Sequence, residues 1–320
     1  MLVKFFRKTY PINIIVLFLI TVGSQILCIL QHKFILPDTM APLTKLLYTV
    51  FCFSPLLSSC LLMLILFACL QYTNVINKAN ILISKTSLLP PAVFAMLFGC
   101  GLYNTTLLPC LFILISMNKV FNSADQQSYP ENDYTAAGFM TALATLANYH
   151  AAITLLLILL SIFILHSYKI KYVVITVLGF ILPIIVWIFI LYLNNNFCEI
   201  QNVIASFNFK LDFFKSNLIG IQLFYYIYLI ALMIITVFFI ITKLYEVTIA
   251  IRNKFSLLIL YILLTIVVSL FSKEAIMVLY LAFPALAILL SYFLVHIKRF
   301  YAELYFTLIT IIPLIIYAFL

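Results

Sequence analysis

The chain has 320 residues, of which 66% are hydrophobic and only 8% charged, and it carries a formal net charge of +9. Ordinary globular domains are about half apolar and about a quarter charged, so no water-soluble fold can hide this composition. Solid apolar runs of about 18 residues or more recur along the chain, which exclude a barrel of alternating strands and demand helices. The Lys and Arg residues punctuate the spaces between these runs instead of forming one cluster. That pattern excludes a nucleic-acid partner and follows the rule that short basic loops stay in the cytoplasm.

The predicted fold is all-α: one polytopic transmembrane bundle of about eleven helices, spanning 1–320 as a single membrane domain with its N-terminus cytoplasmic. Lys4, Arg7 and Lys8 precede an apolar run from Pro11 to about Leu30, which is too long for a signal peptide and has no small-residue cleavage site. It is read as a retained first span. A polar loop from Gln31 to Lys45 follows, and a second span from Leu46 to Gln71 returns to a loop with Asn74, Asn77, Lys78, Asn80 and Lys85. Leu88–Leu102 and Leu107–Met117 read as a tight helical hairpin, and Asn118–Tyr134 as a hydrophilic cytoplasmic loop.

Ala136–Ala147 is rich in Gly, Ala and Thr, the composition of a helix packed closely against neighbours in a membrane. It leads through Asn148-Tyr149-His150 into a run ending near His166. Val173–Leu193 crosses next, with Pro183 as an expected kink, and Asn194–Asn217 is the largest external loop. Leu218–Thr242, Phe255–Ser272, Ala275–His296 and Tyr305–Leu320 complete the bundle, separated by Lys243, Arg252, Lys254, Lys273, Lys298 and Arg299.

Six of the seven cysteines fall in or beside apolar runs and act as small hydrophobes. Neither a disulfide nor a metal centre is expected, because no Cys/His spacing matches one, and no cofactor is called for. Almost no ionisable side chain sits at a span centre, which argues against proton-coupled transporters, ion pumps and voltage sensors. The polar candidates gather on the predicted outer side: His32, Lys33 and Asp38 in the first loop, Asn148 and His150 between the short helices, and Lys273 with Glu274. In a compact bundle these surround one external cavity, where an Asp serves as general base and a Lys holds a phosphate. The competing reading is that each is a solvated loop or interface residue. Tyr225, Tyr226 and Tyr228 read as an aromatic girdle.

Two resemblances add to this. Phe5-Phe6-Arg7-Lys8 with Pro11-Ile12-Asn13, the Asn74–Asn80 run leading to Leu88-Leu89-Pro90, and Ala137-Gly138-Phe139 resemble a family of bacterial inner-membrane proteins of unknown function. Ser272-Lys273-Glu274, followed by Tyr280 and Phe283-Pro284-Ala285, is similar to a late helix of C-type glycosyltransferases. That second resemblance implies a polyprenyl-phosphate sugar donor, Asp38 as the catalytic carboxylate and Lys273 as the phosphate contact. His32, Lys33, Asn148, His150 and Glu274 are the remaining candidates for binding substrate. The first loop lacks the acidic pair of that superfamily, and no soluble external domain follows the bundle. The two functional expectations are therefore a glycosyltransferase-like enzyme of envelope biogenesis, with membrane lipids and polyprenyl phosphate as partners, and a non-enzymatic membrane subunit or lipid or solute carrier.

Overall fold

The computed structural model describes residues 2–8, 10–31, 41–53, 55–80, 82–83, 86–98, 104–124, 130–166, 170–194, 220–272 and 274–319. Among them the regular structure is entirely helical. The helices are α1 (Leu2–Phe6), α2 (Pro11–Gln31), α3 (Pro42–Phe53), α4 (Pro55–Asn80), α5 (Leu89–Leu97), α6 (Leu107–Ser123) and α7 (Pro130–Ala147). They continue as α8 (Ile153–His166), α9 (Ile170–Leu193), α10 (Ile221–Lys243), α11 (Ile249–Phe271), α12 (Ala275–Leu281), α13 (Phe283–His296) and α14 (Arg299–Phe319). Pro11, Pro42, Pro55 and Pro130 each open a helix, where the missing N–H would have had no partner.

Four helices are individually long and apolar enough to cross a membrane: Cys60–Asn80 within α4, α9, α10 and α11. A fifth candidate is the pair α12 and α13, which is bent by 62° at Ala282. In α9 the buried residues Tyr172, Thr176, Gly179 and Pro183 form one narrow stripe, while Leu178, Leu182, Ile185 and Phe189 are exposed. Only 17% of its apolar window is buried, so the rest of that surface needs a hydrocarbon solvent. The opposite case is α13, apolar on every face and buried from Phe283 through Leu294. It is the central helix, packed against α4, α5, α6, α10, α11 and α14.

The described helices lead between two ends of the bundle, with α12 and α13 forming one bent passage. At the near end, which holds the N-terminus, the Leu88 N–H donates to Phe6 O (2.9 Å), the Lys254 ammonium donates to Asn80 Oδ1 (2.6 Å), and Phe6 packs on Phe306. Lys119 pairs with Asp133 at 3.2 Å and Lys171 with Glu131 at 2.6 Å on the same side. Every described Lys and Arg other than Lys45 belongs to a segment at this end. The far end carries the turn from α7 into α8 and the turn from α11 into α12.

Several expected boundaries move. α4 runs on to Asn80, so Asn74 and Asn77 belong to a helix and not to a loop. α6 extends to Ser123 and α7 begins at Pro130, which shrinks the expected hydrophilic loop and places Lys119, Glu131 and Asp133 on helices. Lys254, expected in a loop, lies within α11 and is 4% exposed. Polarity misleads at Asn77 and Lys254 because these side chains find partners inside the bundle, and at Lys119, Glu131 and Asp133 because ion pairs between helices hold them. The large expected loop at Asn194–Asn217 lies outside the described residues apart from Asn194.

α7 and α9 start at the same end, where Lys171 pairs with Glu131, and approach each other closely. A Cβ built on Gly138 would stand 2.3 Å from Thr176 O, and one on Gly179 would stand 2.4 Å from Thr135 O. Both obstacles are backbone, so neither can swing away, and the glycines are what let the two helices touch. The small residues of α7 pack as their composition requires. Replacing Gly138 with Ala is expected to cost about 1–3 kcal/mol, the range for overpacking. Gly23→Ala, whose Cβ would meet nothing within 4 Å, should leave the thermal unfolding midpoint in detergent unchanged or raise it.

Candidate functional site

At the far end two polar turns meet. The first begins where α7 stops. The Asn148 N–H donates to Ala144 O at 2.8 Å, and Asn148 then turns extended, its side-chain Oδ1 accepting from the His150 N–H at 3.0 Å. This side-chain cap starts a single 3-10 turn, Tyr149–Ala152, that presents the His150 ring before α8 begins. Thr44 of α3 donates to Ala147 O and fastens the same turn from the other side.

The second turn joins α11 to α12. Ser272 ends α11 in an extended conformation, and its Oγ accepts from the Glu274 N–H at 3.2 Å. A side-chain contact joins the two turns, Ser272 Oγ to His150 Nε2 at 3.2 Å. Both residues are half-buried, as are Asn148 and Glu274. Burial lowers the pKa of His150 from its ordinary 6.5 to about 4, so the ring is neutral at physiological pH and offers one nitrogen as an acceptor.

Of the sequence-predicted residues, Asn148, His150 and Glu274 are thus brought into one cluster. His32, Lys33, Asp38 and Lys273 lie outside the described residues. Ser272 was legible only as part of a motif. Its contact with His150 spans 122 positions, and no local signal announces it.

Behind this cluster the tyrosines depart from a girdle. Tyr225 and Tyr226 are buried, with Tyr225 Oη 2.8 Å from Tyr280 Oη and Tyr226 Oη 3.1 Å from Ser269 Oγ. They line the inside of the bundle because each hydroxyl has a partner there. The bend between α12 and α13 is satisfied in the same way: Tyr261 donates to Leu281 O at 3.0 Å and Cys110 to Tyr280 O at 3.4 Å. Among the described residues no group of three or more His, Cys, Asp or Glu is placed to hold a metal ion.

A second polar cluster, at the near end, was missed by sequence reasoning. Asn77 accepts from the Ile83 N–H and donates to Ser87 O, and Asn80 accepts from Lys254. Asn13 of α2 donates to Phe5 O and Lys8 O. These amides fold the N-terminal segment and the segment before α5 against the bundle, which is work for structure and not for chemistry. A narrow apolar crevice between α6, α8 and α11, lined by Met117, Leu157 and Leu258 among others, has room for little more than a water molecule.

No protein-family model, curated protein or solved structure matches this chain.

A neutral buried imidazole makes stability depend on pH with a definite sign. Between about pH 6.5 and pH 4 the unfolded chain binds a proton that folded His150 does not, so stability is lost as pH falls through that window. The unfolding midpoint in detergent should drop between pH 7 and pH 5, and His150→Gln should make that drop smaller. An equal drop in the variant would mean that other groups control it.

Proposed function

We propose that this chain is a multi-pass protein of a bacterial inner membrane that works in envelope biogenesis, transferring a sugar from a polyprenyl-phosphate donor at the outer leaflet. The observation that carries the reading is the meeting of Ser272 and Glu274 with Asn148 and His150. The segment that resembles C-type glycosyltransferases therefore lies beside the other polar turn of the same end, as a single external site requires. Lys273, between Ser272 and Glu274, is assigned to the donor phosphate as a point charge. Asp38 is assigned as the base that takes the proton of the attacking hydroxyl. Asn148, His150 and Glu274, with His32 and Lys33, complete the pocket for the donor and acceptor.

Orientation follows from charge. Among the described residues the Lys and Arg side chains other than Lys45 belong to near-end segments, and the rule for short loops puts that end, with the N-terminus, in the cytoplasm. The far-end cluster then faces outward. The order of the helices between the two ends supports about eleven passages, in which the shorter helices cross as tilted or partial spans. With Thr86→Cys and Asn194→Cys, both at exposed positions, a membrane-impermeant thiol reagent should label Asn194→Cys in intact cells and Thr86→Cys only after permeabilisation. The reverse pattern would invert the topology.

The donor is tested by native mass spectrometry of gently purified protein with added polyprenyl phosphate. Wild type should retain the lipid and Lys273→Ala should lose most of it, while Asp38→Asn should keep the lipid and abolish transfer. Failure of wild type to hold the lipid would leave the alternative, a non-enzymatic membrane subunit or carrier.

A further inference from the structure

Hydroxyl groups in this bundle have a common fate. Thr73, Ser123, Thr141, Thr176, Thr236 and Ser291 each donate to a carbonyl three or four residues earlier in their own helix. A hydroxyl so engaged is a structural group with its hydrogen already spent. Ser272 is different because it stands past the end of α11 in extended backbone. Its Oγ accepts the Glu274 N–H at 3.2 Å and lies 3.2 Å from His150 Nε2. One lone pair of the oxygen accepts from the backbone, and the hydroxyl donates to the imidazole when His150 carries its own hydrogen on Nδ1.

The imidazole is arranged to receive it. Asn148 holds the backbone of His150 through the 3.0 Å bond to its N–H, and burial keeps the ring neutral. A serine hydroxyl within hydrogen-bond reach of a neutral imidazole nitrogen is the pairing of a nucleophile with its base. Unlike the buried tyrosine pairs behind it, both residues of this pair keep partial exposure. Phe271 and Val267, on the turns of α11 just below Ser272, are exposed and apolar. The pair therefore sits at a helix end beside exposed apolar side chains, which suit the acyl chain of a lipid.

We propose that Ser272 is a nucleophile activated by His150 and that it accepts the acyl group of a lipid ester whose chain lies in the bilayer. In the first half-reaction Ser272 Oγ forms a bond to the ester carbonyl carbon while its proton passes to His150 Nε2. The carbon–oxygen bond to the lipid alcohol breaks, and that alcohol leaves with the proton from His150. The acyl-serine is then attacked by water or by an acceptor hydroxyl, whose proton takes the same route through His150 and returns to Ser272 Oγ. This chemistry uses neither Asp38 nor Lys273, and although it shares His150 with the proposed glycosyl-transfer pocket, labelling of Ser272 tests it separately.

The test is covalent labelling of the full-length protein in detergent micelles by an alkyl fluorophosphonate, followed by peptide mapping. Ser272 should gain one phosphonyl group with loss of fluoride, and Ser272→Ala should remove that adduct. His150→Gln, which keeps a polar partner for the serine but no base, should label about 100-fold more slowly. The unfolding midpoint of each protein reports whether it is folded. Folded wild type with Ser272 unmodified overturns the proposal without reference to any variant, as does labelling of Ser272 at an undiminished rate in folded His150→Gln.

Discussion

In hydrocarbon a backbone N–H or carbonyl has no water to turn to, and this constraint governs the whole structure. It makes the described chain helical and explains why buried Ser and Thr side chains bond back to their own helices. It also explains the one sharp bend among the candidate spans. Where α12 gives way to α13, the carbonyls of Tyr280 and Leu281 also accept from side chains, Cys110 and Tyr261. Such a break is tolerated because side chains from α6 and α11 arrive to complete it.

Once the backbone is satisfied, packing decides the neighbours. Lipid chains are as apolar as leucine, so burial of apolar area alone does not choose between one helix partner and another. Close approach does. Gly138 and Gly179 bring α7 and α9 together, and α7 leads into the turn that holds His150. Thr44 secures the turn and Asn148 shapes it, so that His150 reaches Ser272 on a different helix pair. The far-end cluster thus stands on helices held together by two glycines, Gly138 against Thr176 and Gly179 against Thr135.

Much of the architecture was readable from composition and pattern. The apolar runs announced α9, α10 and α11, and the Gly, Ala and Thr content of α7 announced a close partner. Boundaries were read less well wherever polar residues are buried. Asn77 and Asn80 resemble a loop, yet they extend α4 because Ser87, Ile83 and Lys254 supply their hydrogen bonds. Tyr225 and Tyr226 resemble an interface girdle, yet they face inward because Tyr280 and Ser269 meet their hydroxyls. Among the candidate site residues, Asn148 with His150 and Glu274 were legible as polar breaks between apolar runs. Their meeting was not.

What the sequence by itself determined is the solvent and the secondary structure, since 66% hydrophobic residues in long runs can only be satisfied as helices in a membrane. It also determined the asymmetry of charge, because basic residues recur at alternate turns of the chain. The tertiary structure alone decided which turns face each other: that α13 is the buried axis, that Lys254 is enclosed beside Asn80, and that His150 stands against Ser272. Apolar periodicity says which face of a helix is hidden but not from what, and a hydrogen bond across 122 positions leaves no mark in either local segment.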